Sequence, residues 1–123
     1  MDVEMAECGL IEPNRVRTCE VAALVDSGAA RSVIPMEIAN ELGLLIRRQR
    51  LAQLADGSEV PVGVTSTLRI EIYDREVFED AYVLGDKVLL GQTALESMDL
   101  LVDCANRTVI PNPAHPEGPV LRI

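Results

Sequence analysis

Histidine occurs once among the 123 residues, tryptophan is absent, and Tyr73, Phe78 and Tyr82 are the only aromatic side chains. His115 sits in the Pro/Gly-rich segment PNPAHPEGP. Mechanisms that need an imidazole placed in a packed core, Ser–His–Asp and Cys–His systems among them, are thereby excluded. Carboxylates are left for acid–base work. Cysteine is scarce as well: Cys8, Cys19 and Cys104 form no Cys-x-x-Cys pair. A zinc site takes four ligands, so no metal and no cofactor is expected. An odd cysteine count without a secretory signal reads as free thiols in a reducing compartment. The lack of aromatics also removes the stacking platforms that single-strand binders use.

Positive charge is in short supply: 11 Lys and Arg face 20 Asp and Glu, for a net charge of −9. Nucleic acid is not an expected partner, because phosphate binding needs clustered cations. The one basic cluster, Arg47, Arg48 and Arg50, reads as the wet face of a strand. Long apolar runs are missing too. The longest stretch without a charged side chain is nine residues, Val60–Leu68 and again Thr108–Pro116, well short of the ~20 that span a bilayer. The start, MDVEMAECGL, carries acids where a signal peptide has a basic region and an apolar run. A chain with no membrane partner, in the cytoplasm, is the expectation.

What is present is aliphatic. Hydrophobic residues make up 48% of the chain, enough to offset the entropy of ordering one compact domain. Its core must be built from Val, Leu, Ile, Ala and Met. The texture is strand-like: residues 15–25, RVRTCEVAALV, pass from alternation to an apolar run and stop at Asp26-Ser27-Gly28. VIPMEIANELG reads as a short helix with Pro35 in its first turn, Ile38, Ala39 and Leu42 on one face and Gly43 as its stop. RLAQLADGSEVPV reads as a hairpin around Asp56-Gly57, a type I′ signal. TSTLRIEIYD alternates through Leu68, Ile70 and Ile72, turns at Asp74-Arg75 and returns as EVFEDAYVL. After a turn at Gly85-Asp86 come a buried strand, VLLG, a brief helix near TALESM, and a closing hairpin LLVDC/RTVI around Ala105-Asn106. Many short strands with two short helices predict an all-β barrel or sandwich. A domain over residues 1–110 and a Pro/Gly-rich tail over 111–123 are expected.

The chemistry-bearing segment is Ala23-Leu24-Val25-Asp26-Ser27-Gly28-Ala29-Ala30. An apolar strand ends on a carboxylate, then a small hydroxyl residue and a glycine, which sets Asp26 on a tight loop with a rigid sheet behind it. Alone, Asp-Ser-Gly is ordinary turn chemistry. In context, ALVDSGAARSVIP resembles the active loop of the retropepsin-like aspartic proteases. Val88-Leu89-Leu90-Gly91-Gln92-Thr93-Ala94-Leu95 is similar to that family's apolar-apolar-Gly element, where a strand crosses behind the active loop and opens a short helix. LADGSEVPVG stands where the family has its flap hairpin. Order and spacing agree over about residues 15–110, and the chain is identified as a bacterial-type, stand-alone, single-domain member.

The resemblance implies a closed or partly closed β-barrel with one or two short helices, and a peptidase acting on a peptide or protein substrate. The chain has one Asp-Ser-Gly, so the site implied is a homodimer joining Asp26 to its symmetry mate. Two carboxylates one water apart cannot both ionise, so they share a proton and activate the water between them. On this reading Asp26, Ser27 and Gly28 are catalytic: Gly28 offers backbone to an extended substrate and Ser27 braces the two loops. Ala29, Ala30, Ala55, Asp56, Gly57 and Ser58 would bind substrate, the last four as the flap tip. Retroviral relatives typically pair an acid at the place of Ala30 with an arginine at the place of Gln92, and both are missing here. The alternative kept beside the endopeptidase is a non-catalytic retropepsin-fold dimerisation or peptide-binding domain. Asp99 and Asp103 read as solvent-facing or capping groups, and Glu76, Glu79 and Asp80 as a solvated acidic strand face that discourages edge pairing.

Overall fold

A computed structural model describes residues 4–11, 17–26 and 28–120. Eleven strands and two helices follow one another as β1 (Glu4–Ile11), β2 (Thr18–Val25), β3 (Val33–Ile34), α1 (Met36–Glu41), β4 (Ile46–Gln53), β5 (Glu59–Thr65), β6 (Leu68–Ile72), β7 (Arg75–Glu79), β8 (Tyr82–Val83), β9 (Val88–Leu90), α2 (Gln92–Met98), β10 (Leu100–Asp103) and β11 (Thr108–Pro111). Nine strands form one sheet in the order β4-β5-β8-β3-β9-β2-β1-β6-β7, and β10 and β11 form a separate pair. The large sheet ends on β4 and β7, which makes it a half-barrel, the partly closed form of the expected all-β architecture.

The alternation in the sequence maps onto burial. In β6, Leu68, Ile70 and Ile72 are buried while Arg69 and Glu71 are half-buried. In β2 the pattern deepens along the strand until Ala23 and Val25 are buried beside β9, whose Val88 and Leu90 are buried too. The core cluster is aliphatic, joined by Cys8, and contains no aromatic ring. Tyr73 and Phe78 are instead about half exposed. α1 buries Ala39, with Leu42 and Leu44 just beyond it, and ends where Gly43 takes a positive φ of 66°. α2 buries Ala94, Leu95 and Met98.

Two local expectations, both about turns, are corrected, and one strand was not expected from the sequence at all. β1, whose acids hid it in the sequence, pairs along its whole length with β2 and also with β6. The β6–β7 turn is Tyr73-Asp74, one residue earlier than expected: both have positive φ (53° and 62°), the conformation of a type I′ turn, and Ile72 pairs with Arg75. The Asp56-Gly57 pair is not type I′, because only Gly57 has positive φ (88°). Leu54 and Gly57 close a turn at 2.9 Å with Gly57 in the left-handed bulge position, and Leu54 N–H reaches Ser58 O at 2.8 Å.

Arg75, read from sequence as a turn residue, is only 5% exposed. Its guanidinium donates to Met98 O (3.1 Å), Asp99 O (2.9 Å) and His115 O (2.5 Å), a cation satisfied by carbonyls at the C-terminal end of α2 and in the tail. Asp99 ends α2 in the left-handed conformation and gathers the tail. Its carboxylate accepts from Asn112 Nδ2 (3.1 Å) and Val120 N–H (3.2 Å) and contacts His115 Nδ1 (2.5 Å). The Asn112 bond, aided by His115 and Val120, holds the Asp99 carboxyl below its ordinary value of 3.8. A carboxyl depressed in the folded state stabilises it above the unfolded value and loses that contribution as pH falls through the folded one. The segment 112–120 is therefore expected to stay docked at pH 5 and to lose hydrogen-exchange protection, relative to the intrinsic rate, as pH falls below 3.8. Unchanged protection there at pH 3 would contradict this anchoring.

All three cysteines are free thiols. Burial, then the neighbouring Cys19, pushes the Cys8 thiol up to about 12. Burial and the Glu41 carboxylate raise Cys19 as well, so neither carries thiolate reactivity at neutral pH. No helix among the described residues is long and apolar enough to cross a membrane. No group of three or more potential metal ligands lies together among them.

Candidate active site

Asp26 follows the last residue of β2, at the point where β2 and β9 run parallel and Val25 pairs with Leu90. Its N–H continues the ladder by donating to Leu90 O at 3.0 Å, so the sheet fixes its backbone. The chain then turns, with Ala29 N–H on Asp26 O at 3.1 Å. Gly28 N–H donates to Asp26 Oδ1 at 3.0 Å, and a Cβ on Gly28 would lie 3.2 Å from that same oxygen. The loop backbone thus orients the half-buried carboxylate through one oxygen. Oδ2 has no hydrogen-bond partner among the described residues. Ser27, a catalytic candidate from the sequence, lies outside the described residues.

The loop is pinned from behind by the start of α2. Gln92 N–H donates to Ala29 O at 2.7 Å, Thr93 N–H to Ala30 O at 3.0 Å, and the Thr93 hydroxyl lies 2.9 Å from that same carbonyl. Ser32, buried, accepts Gly91 N–H on its hydroxyl at 3.1 Å. Gly91 is required for contact: a Cβ there would fall 2.4 Å from the Arg31 carbonyl carbon and 2.7 Å from its oxygen. The apolar-apolar-Gly element therefore crosses directly behind the Asp26 loop.

Glu79 corrects another expectation. Instead of lying on a solvated face, it accepts Ser32 N–H on Oε2 at 3.1 Å, and its Oε1 lies 3.1 Å from the Thr93 hydroxyl. Its neighbours in sequence behave differently: Glu76 pairs with Arg69, and Asp80 accepts from the Thr67 hydroxyl at 2.8 Å. From the sequence, Glu79 was read only as part of a solvated acidic face, and Ser32 and Thr93 were given no role of their own. A lone serine inside RSVIP and a threonine two residues after Gly91 were the available signals.

Of the substrate-binding candidates, Ala29 and Ala30 belong to this loop, with Ala29 half-buried and Ala30 exposed. Ala55, Asp56, Gly57 and Ser58 form the exposed tip of the β4–β5 hairpin. Asp56 Oδ1 accepts from Ser58 Oγ (2.6 Å) and Ser58 N–H (2.9 Å), which together lower its carboxyl below the usual range. No hydrogen bond among the described residues joins this tip to the Asp26 loop. β4 is an edge strand exposed along nearly its whole length, Arg47, Arg48 and Arg50 included. Gln92 spends its side chain on Glu96 (2.9 Å), so no polar pair links positions 30 and 92.

A family model described as gag-polyprotein putative aspartyl protease matches residues 14–97, more than half of the chain and all of this loop scaffold. The chain belongs to that family. This aspartyl-protease-like domain is also similar to solved structures. The retroviral protease-like domain of Ddi1 from Leishmania major aligns over 99% of the chain and 96% of its own length, with TM-score 0.62 and 17% identity. EIAV protease, complexed with the inhibitor HBY-793, aligns over 74% of the chain and 83% of its own, with TM-score 0.52 and 21% identity. At those identities the two show a shared retropepsin-type fold. No curated protein sequence matches the chain.

Proposed function

We propose that this domain is an aspartic endopeptidase whose active site forms when two copies bring their Asp26 carboxylates together. The observation that carries the reading is the loop at Asp26: a carboxylate at a strand end, one oxygen held by Gly28 N–H, its backbone locked to Leu90, on a loop clamped by α2. One such carboxylate cannot act as acid and base at once, and the chain holds a single Asp-Ser-Gly. In the dimer the ionised Asp26 takes a proton from the intervening water as it attacks the scissile carbonyl. The protonated partner donates to the carbonyl oxygen, and the roles then reverse for the leaving amine. No covalent intermediate arises. Exposed Leu101 and Val102 on β10 supply apolar surface for a second copy to cover. The hairpin tip Ala55–Ser58 would close over an extended peptide and exclude water.

The second reading, a peptide-binding or dimerisation domain without catalysis, is favoured by the missing polar pair at Ala30 and Gln92 and by the self-bonded Asp56 tip. A peptide whose scissile amide is replaced by a hydroxyl-bearing tetrahedral isostere separates the two. An enzyme of this type is expected to bind it at least ~10²-fold tighter than the parent peptide, at one isostere per two chains, since transition-state mimics exploit the paired carboxylates. Equal affinity for both ligands, with no cleavage of the parent, supports the binding domain.

A further inference from the structure

We propose that Arg48 and Arg50 select the substrate, and that the peptides taken are extended segments carrying Asp or Glu beyond an apolar centre. The proposal deepens the peptidase reading and rests on it. It starts from which side chains share a face of the large sheet. Side chains alternate along a strand, and residues opposite one another across a ladder point to the same side. In β2 and β9 the buried Ala23, Val25, Val88 and Leu90 face the core. The half-buried Leu24 and Leu89, which pair with each other, therefore face the other way. The register carries that second face across the sheet: Leu89 lies opposite Val33, Val33 opposite Tyr82, Tyr82 opposite Val64, and Val64 opposite Arg48. Arg50 lies opposite Val62 on the same side. Asp26, two residues after Leu24 and still bonded to Leu90, leaves β2 on this face as well. One surface thus runs from Asp26, past an apolar strip, to two arginines on the open edge of the sheet.

An extended peptide on this surface meets Leu24, Val33 and Leu89 near Asp26 and cations farther out. The order β2-β9-β3-β8-β5-β4 makes five strand spacings. At ~4.8 Å each they span at most about 24 Å, the reach of about seven extended residues. The chain carries 11 cations against 20 acids, and Arg47, Arg48 and Arg50 cluster on this one edge strand. All three are exposed, and none joins an ion pair among the described residues. Arg69, by contrast, is spent on Glu71 and Glu76, and Arg75 on carbonyls. Guanidiniums left unpaired on a chain of net charge −9 are complementary to carboxylates from outside it, which they hold through paired N–H donors. A two-fold dimer presents one such pair towards each end of the peptide, so acids are favoured on both sides of the scissile bond.

Three sixteen-residue peptides test the proposal. They share a Leu-Leu centre and differ only in carrying Glu, Gln or Lys at the outer positions. Binding is measured on Asp26→Asn protein, so that no peptide is turned over. The Glu peptide is expected to bind about tenfold tighter than the Gln peptide at low salt, several exposed pairs each adding a small factor. The Lys peptide should bind weakest, and the differences should shrink at about 1 M salt. Adding Arg48→Glu and Arg50→Glu should invert the order. Adding Lys87→Glu and Arg107→Glu instead, an equal change of net charge at exposed loop positions outside the patch, should leave it as it was. In wild type, cleavage should follow the same order through KM, with kcat within about twofold. No binding of the Glu peptide, or an order that the Arg48/Arg50 reversal leaves unchanged or the control reversal also inverts, would overturn the proposal. Cleavage of the Glu and Gln peptides at equal kcat/KM overturns it too, yet leaves the peptidase reading standing. An invertible preference for Glu in a wild-type protein that cleaves none of the three upholds recognition of acidic peptides by the arginines and goes against the peptidase reading.

Discussion

Asp26→Asn is expected to lower peptide cleavage by a factor on the order of 10³ or more while leaving fold and dimer intact. A positioned acid–base group contributes about 10²–10⁴ in rate, and this substitution removes both halves of the pair at once. Asparagine nearly matches aspartate in shape and keeps an acceptor at Oδ1, so the Gly28 N–H bond survives. The bond from residue 26 N–H to Leu90 O is backbone and does not depend on the side chain. What asparagine cannot do is take a proton from water or hold the shared one. Thermal unfolding and sedimentation should match wild type, and only turnover should collapse. Cleavage within tenfold of wild type would remove Asp26 from the mechanism.

Gly91→Ala is the second large effect, and it is steric. Gly91 has φ −86° and ψ 171°, ordinary extended backbone, so alanine meets no dihedral penalty there. The added methyl would instead sit 2.4–2.8 Å from three Arg31 backbone atoms, which cannot swing aside as a side chain can. Overpacking typically costs 1–3 kcal/mol, and a clash with backbone belongs at the top of that range: about 3 kcal/mol, or ~10 °C in Tm. To relieve it, residues 29–32 must move off the β9–α2 junction. That breaks the bonds from Gln92 and Thr93 to Ala29 and Ala30, and a 1 Å displacement of the loop is expected to cost ~10² in kcat. A Gly91→Ala protein with wild-type Tm and turnover would mean the loop is not held against this glycine.

The sheet was legible where burial alternates strictly. Leu68, Ile70 and Ile72 alternate because β6 has one face in the core, and Ala23 and Val25 run together because β2 is buried where it meets β9. β1 was not legible. Acids at its start drew attention to charge, although Cys8 and Leu10 already alternated inward. The turns slipped because polar dipeptides compete for the same role. Asp74-Arg75 looks like a turn, yet Arg75 is withdrawn to bind carbonyls contributed by α2 and the tail, partners 23 to 40 residues away that no local pattern reveals.

Within the site, Asp26, Gly28 and Gly91 could be found because the chemistry and the close approach constrain residue type locally. Glu79 could not. On sequence it is one of three acids near a turn, and its role arises only when Ser32 and Thr93 are carried to it by β3 and α2.

The central claim is that one chain carries half of an active site. Its most direct test is mixing: wild-type protein is held at fixed concentration, Asp26→Asn protein is added in rising excess under exchange conditions, and cleavage is followed. Wild-type chains then pass into mixed dimers with one aspartate, which cannot supply both an acid and a base. Cleavage should fall towards zero, approaching the reciprocal of the total-to-wild-type ratio when exchange is complete. Cleavage that stays constant through a tenfold excess of the exchanged mutant would show that a single Asp26 suffices and would contradict the account.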